Sequence, residues 1–167
     1  MRTQLRRHTL LLTSSLALAA LGGSCGHGQP TSLVPANYRT SFGVTRMCRT
    51  TIEHSQPTST PPPTPIGSIV VYVNPEAAAP YNANANPLAA GTLVIKEEYD
   101  DSTCGHLVSW SIMHKEPGFD SAHGDWHFQH VLADGTIDAD GNVERCNNSS
   151  CHGASECVSR DWMCTAP

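Results

Sequence analysis

Beyond its N-terminal segment the chain has no run approaching the roughly 18 apolar residues of a membrane-spanning helix, so the remainder is not expected to cross a bilayer. Positive charge is scarce as well: ten Lys and Arg stand against fifteen Asp and Glu, a formal net charge of -5. So acidic a chain is a poor partner for nucleic acid. No repeat of solenoid length is visible, which removes the stacked-repeat architectures. What is left, in 167 residues, is room for one domain with a core of its own.

The first segment is the exception to the missing apolar runs. Arg2, Arg6 and Arg7 precede an apolar stretch from Leu10 to Leu21, and small residues follow, the pattern of an export signal. The expected organisation is a signal peptide over 1–24, a flexible linker over 25–35 and the functional domain over 36–167. Two processing routes are open. Ala17-Leu18-Ala19 suits cleavage to a soluble protein, whereas Leu21-Gly22-Gly23-Ser24-Cys25 resembles a lipoprotein box displaced by one residue, with a lipid anchor on Cys25. The lipoprotein route is preferred, and either route makes the protein periplasmic or anchored to the outer membrane. Losing three arginines leaves seven basic residues against fifteen acidic, or -8.

Along the domain, Tyr38, Phe42, Thr45, Cys48 and Ile52 recur at helical steps and predict a helix from Ala36 to about Ser55. Five prolines between Pro57 and Pro65 then predict a surface loop inside the domain. Ser68 to Val73 reads as a strand, and the segment from Pro75 to Gly91 as a turn or two of helix followed by a loop. Gly91 to Tyr99, Leu107 to His114 and Asp125 to Leu132 read as further strands, joined by turns at Pro117-Gly118, Asp134-Gly135 and Asp140-Gly141. Strands in succession with little between them but turns imply an antiparallel sheet with helices at the chain ends on one face. The expected class is α+β.

The chemistry is concentrated in Cys146-Asn147-Asn148-Ser149-Ser150-Cys151-His152. Two thiols followed at once by an imidazole are the elements of covalent haem attachment, whose usual spacing leaves two residues between the cysteines. Here there are four. A longer loop can bulge outward and still let both sulfurs reach one porphyrin. Two other readings use the same residues. Cys146, Cys151, His152, Cys157 and Cys164 could build a structural zinc site, or the tail could be simply disulfide-bonded with His152 in solvent. Seven cysteines are an odd number. If Cys25 is acylated or removed and two hold a haem, then Cys48, Cys104, Cys157 and Cys164 remain, and three pairings are open to them. The expected pairs are Cys157 with Cys164 and Cys48 with Cys104.

In this setting the chain resembles the cytochrome P-460 and cytochrome c′-beta family, β-rich periplasmic haem proteins. The matching pieces are Tyr38-Arg39, YVNPEA at Tyr72 to Ala77, GTLVIKE at Gly91 to Glu97, SIMHKEPGFD at Ser111 to Asp120, GDW at Gly124 to Trp126, CNNSSCH, and Asp161-Trp162. Together they span most of residues 38–162. The chain departs from the family in the spacing of Cys146 and Cys151, the proline-rich loop and four additional cysteines.

The resemblance implies a twisted antiparallel sheet with flanking helices and a C-terminal haem-attachment segment. It implies one covalent haem c per chain, bound by Cys146 and Cys151, with His152 as the iron ligand and the opposite face largely open. Binding or chemistry on small nitrogen compounds, hydroxylamine or nitric oxide, would follow, with a redox partner protein and a possible homodimer. One branch of the family bonds a lysine to the porphyrin and oxidises hydroxylamine. Lys96 stands at the matching position, and its alternative is a solvated or ion-paired lysine beside Val94 and Glu98. His130 and His114 share apolar strand faces, and either could be a ligand or proton carrier on the open side of the haem or an ordinary core histidine. Trp126 and Phe128 are expected in the haem pocket or core. A gas-binding protein without turnover, or a disulfide-stabilised surface lipoprotein without haem, are the alternative functions.

Overall fold

A computed structural model describes residues 30–50, 66–149 and 151–164 of the chain. The expected leader, the anchor at Cys25 and the prolines at 57–65 lie outside the described residues. The β-branched runs form strands where the sequence places them: β2 (Ser68–Val73), β3 (Leu93–Tyr99), β4 (Leu107–Lys115) and β5 (Trp126–Leu132). Two further strands, β1 (Gly43–Thr50) and β6 (Ile137–Gly141), close the edges. The six lie in the order β1-β2-β3-β4-β5-β6, each antiparallel to its neighbour. Among the described residues the helices are short, α1 (Tyr38–Ser41), α2 (Pro75–Asn82), α3 (Glu144–Asn147) and α4 (Ser155–Val158), with one 3-10 turn at Ser121–His123. The class is α+β. None of these helices is long and apolar enough to cross a membrane.

Both edge strands correct the sequence reading. The helix expected over 36–55 stops after one turn at Ser41, and Gly43 opens a strand that pairs with β2. Its pairing shifts between Val44 and Arg46 and again between Arg46 and Arg49. Each shift inserts one residue into a two-residue repeat, so Phe42, Thr45 and Cys48 come three apart and imitate a helix. At the other edge, Asp140-Gly141 is not a turn but the end of β6, and Gly141 leaves it at φ 100°. The helices also do not gather at the chain ends, since α2, the longest, lies between β2 and β3.

Alternation along the strands divides the core between the two faces of the sheet. On one, Ile69, Val71, Val73, Val94, Met113, Trp126 and Phe128 are covered by α2 and the C-terminal tail, which contributes Cys146, Trp162 and Met163. We refer to it as the tail face. On the other, Val70, Tyr72, Ile95, Tyr99, Ile112 and Val131 are covered by the segment carrying Leu33, Val34, Tyr38 and Phe42, and this is the head face. Burying each such side chain contributes about 1.5–3 kcal/mol.

Candidate functional site

The tail folds back on the sheet through specific anchors. Asp161 is 5% exposed, and its carboxylate accepts from the Lys115 ammonium at 2.6 and 2.7 Å and from the Leu88 amide at 2.7 Å. The Trp126 indole donates to the Asp161 carbonyl at 2.8 Å. Asp161 and Trp162 both adopt left-handed backbone, φ 56° and 68°. Trp162 lies directly over Gly124, where an added Cβ would meet its ring at 2.7 Å. The sequence motifs Gly124-Asp125-Trp126 and Asp161-Trp162 are therefore two sides of one contact. A disulfide between Cys157 and Cys164 closes the last turn, and a second joins Cys48 to Cys104, as expected.

Within the tail, α3 carries Cys146, and the loop after it is held by the Cys151 amide on the Asn148 carbonyl and the His152 amide on the Cys146 carbonyl, each at 3.0 Å. Gly153 makes this turn possible. A side chain there would run into the carbonyls of Asn147 and Asn148, so the backbone could not close. Sequence reading missed Gly153, although a glycine directly after the motif was the available signal.

Cys146 and Cys151 are free thiols, each half-buried. Burial, with the nearby Glu98 charge and that of Cys151 adding to it against Arg145, pushes the Cys146 thiol up. It is not an activated nucleophile. His152 donates from Nδ1 to the Trp162 carbonyl at 2.6 Å, and its ring lies 5.2 Å from Phe128. A carbonyl can only accept, so this bond fixes the tautomer and places the lone pair on Nε2. The zinc reading required Cys157 and Cys164 as thiolates, and they are joined to each other.

The tail face also holds the buried polar residues nearest this chemistry. Glu98, 1% exposed, accepts from the hydroxyls of Ser109 at 2.6 Å and Ser111 at 2.7 Å, and faces His130 Nε2 at 3.3 Å. His130 Nδ1 bonds Asp138. The two carboxylates outweigh burial and raise the affinity of His130 for a proton. Lys96 lies on the same face, two residues from Glu98, in register between Val71 and Ser111. His130 and Lys96 thus share a face with the Cys146 thiol. His114 does not: it alternates with Met113 onto the head face, where Nδ1 bonds Glu116 at 2.8 Å. Trp126 and Phe128 are core residues, 0% and 3% exposed. Glu98 and Asp138 escaped the sequence reading, because an isolated carboxylate on a strand reads as solvated.

No protein-family model matches the chain, and no curated protein matches it significantly.

Proposed function

We propose that this protein is an exported mono-haem c-type cytochrome of the P-460 and c′-beta kind, acting on or binding small nitrogen compounds. One observation carries the proposal. Among the described cysteines, four are paired in disulfides, and the two left as thiols are those flanking the loop that ends in His152. In an oxidising compartment, thiols that stay unpaired beside two disulfides need another use. The donor set fits haem c: Cys146 and Cys151 for the two thioether bonds, and His152 Nε2 for the metal, oriented through Nδ1 by a backbone carbonyl. When bound, such a group supplies a one-electron redox centre and an open position for a small ligand.

The chain's own residues would divide the remaining work. Phe128 and the tail would exclude water from one side of the site. Lys96, if bonded to the macrocycle, would tune it, and His130 would exchange protons on the sheet side. The mature protein would sit in the periplasm or on the outer membrane, with a redox partner to take electrons. The intact mass and visible spectrum of exported protein test the reading. One haem per chain and a Soret band are expected, with covalent attachment lost in Cys146→Ser together with Cys151→Ser, and a changed spectrum with the haem retained in His152→Ala. A chain mass without haem and no Soret band after expression with the attachment machinery overturns it. Hydroxylamine-dependent reduction of an added acceptor then selects catalysis over gas binding.

The haem-free lipoprotein is favoured by a different observation. The tail is held by its own disulfide and by the Lys115–Asp161 pair, and the groove beside α3 is polar, lined by His123, Asn142, Glu144, Asn147 and Asn148. The same spectrum decides between the two.

A further inference from the structure

Glu98 on β3, His130 on β5 and Asp138 on β6 stand in line on one face of the sheet. Ser111 pairs with His130 and His130 with Ala139, while the next pairs of β5 and β6 skip from Ala139 to Ile137. Asp138 is the residue skipped. That bulge turns its side chain onto the tail face, where it meets His130 Nδ1. Its other oxygen, Oδ2, is buried with no hydrogen-bond partner among the described residues. A buried carboxylate oxygen left unpaired is costly, so the bulge is not explained by local hydrogen bonding alone.

We infer that Glu98, His130 and Asp138 are a proton path that links the haem face of the sheet to solvent at the edge strand β6. The inference rests on the haem reading, because haem chemistry gives the inner end of the path a proton to move. Exposure increases along the line: Glu98 side chain 1%, His130 10%, Asp138 14%. The partners are suited to exchange. Serine hydroxyls and an imidazole both donate and accept, so Glu98 keeps a hydrogen-bonded site in either protonation state. A proton entering on Asp138 passes from Oδ1 to Nδ1, and the imidazolium releases its other proton from Nε2 to Glu98. One proton enters, one leaves and no electrons move. The groups facing this line are Lys96 and Glu98 from β3, the hydroxyls of Ser109 and Ser111 from β4, Asp138 from β6 and the Cys146 thiol from the tail. No acidic or basic group of β5 other than His130 shares their face.

The test is proton uptake on reduction of the exported holoprotein, followed with a pH indicator in weakly buffered solution between about pH 6 and 8. Wild type should take up close to one proton per electron. Glu98→Gln and His130→Gln should each take up less than a third as much, and Asp138→Asn should slow uptake at least tenfold with the amount unchanged. Asp138→Asn lies at the edge of the sheet, so it remains informative if a core variant misfolds. Haem present with equal uptake and rate in wild type and all variants overturns the path and leaves the cytochrome reading intact. No haem in wild type overturns both.

Discussion

The two faces of the sheet solve the same problem differently. Each buries one glutamate of the pair Glu97 and Glu98, both 1% exposed, and neighbours in sequence point to opposite sides. On the head face, Glu97 accepts from the Tyr38 and Tyr99 hydroxyls and the Arg39 guanidinium, and the Trp110 indole donates on to the Tyr38 oxygen. These partners hold their protons: burial and the Glu97 charge push the Tyr38 phenol up to about 12 and Tyr99 higher still. That network closes a core. On the tail face, Glu98 meets two serine hydroxyls and an imidazole, and the imidazole is the group whose proton moves near neutral pH. The difference lies in the partners, since the carboxylates are equally buried. A saturated set of donors makes structure, and an amphoteric set leaves room for chemistry.

The largest effect that would sharpen this contrast concerns the disulfides. Cys48–Cys104, at the head face, spans 56 residues, and Cys157–Cys164, on the tail, spans 7. Loop-closure entropy makes the first worth about 4 kcal/mol and the second about 2–3 kcal/mol. Urea unfolding of the two double Cys→Ala variants should show that order, and a reversed order would make the tail the more stabilising cover. Next is Lys115→Met. It leaves the Asp161 carboxylate, 6% exposed, without its cation, at a cost of about 3 kcal/mol. Hydrogen exchange should show residues 157–164 losing protection first, and uniform loss across the sheet would mean that the pair does not anchor the tail. Glu97→Ala follows, at about 2–3 kcal/mol, because two buried phenols lose their acceptor while half-exposed Arg39 turns to water. Glu98→Gln keeps its serine contacts and should cost under about 1 kcal/mol. Equal costs for Glu97→Ala and Glu98→Gln would erase the distinction between the faces.

How much of this could be read beforehand depended on whether a signal was local. The four central strands announced themselves through Val, Ile and aromatic runs, and alternation correctly placed Lys96 with Val94 and Glu98, opposite Ile95 and Glu97. Both disulfide pairs were anticipated. Beyond that, the edges failed: in β1 bulges break the two-residue period and produced a false helix, and in β6 the Asp140-Gly141 dipeptide carries turn chemistry although it ends a strand. In the tail, spacing singles out Cys146, Cys151 and His152, and the structure leaves both of these cysteines out of the disulfides. What orients His152 was not evident, since a carbonyl ten residues away at Trp162 leaves no mark on sequence. The burial of Glu97 and Glu98 was hidden for the related reason that a charged side chain on a strand looks solvated until its partners from other strands are known.

The smallest effect separates the faces by pH. His130 holds its proton more firmly in the folded chain than an ordinary imidazole, with Glu98 and Asp138 outweighing the cost of burial. A pKa raised on folding means that the native state binds the proton better than the unfolded chain does. The stabilisation is therefore complete below the unfolded value of about 6.5 and is lost as pH rises through the higher folded value. As pH rises above about 6.5 the unfolding free energy should decline in wild type, and His130→Gln should remove part of that slope. Glu97→Gln should leave the slope intact, because no imidazole touches the Glu97 network among its described contacts. A slope unchanged in His130→Gln would show that the imidazole carries no extra proton affinity, and the tail-face network would then be as fixed as its counterpart around Glu97.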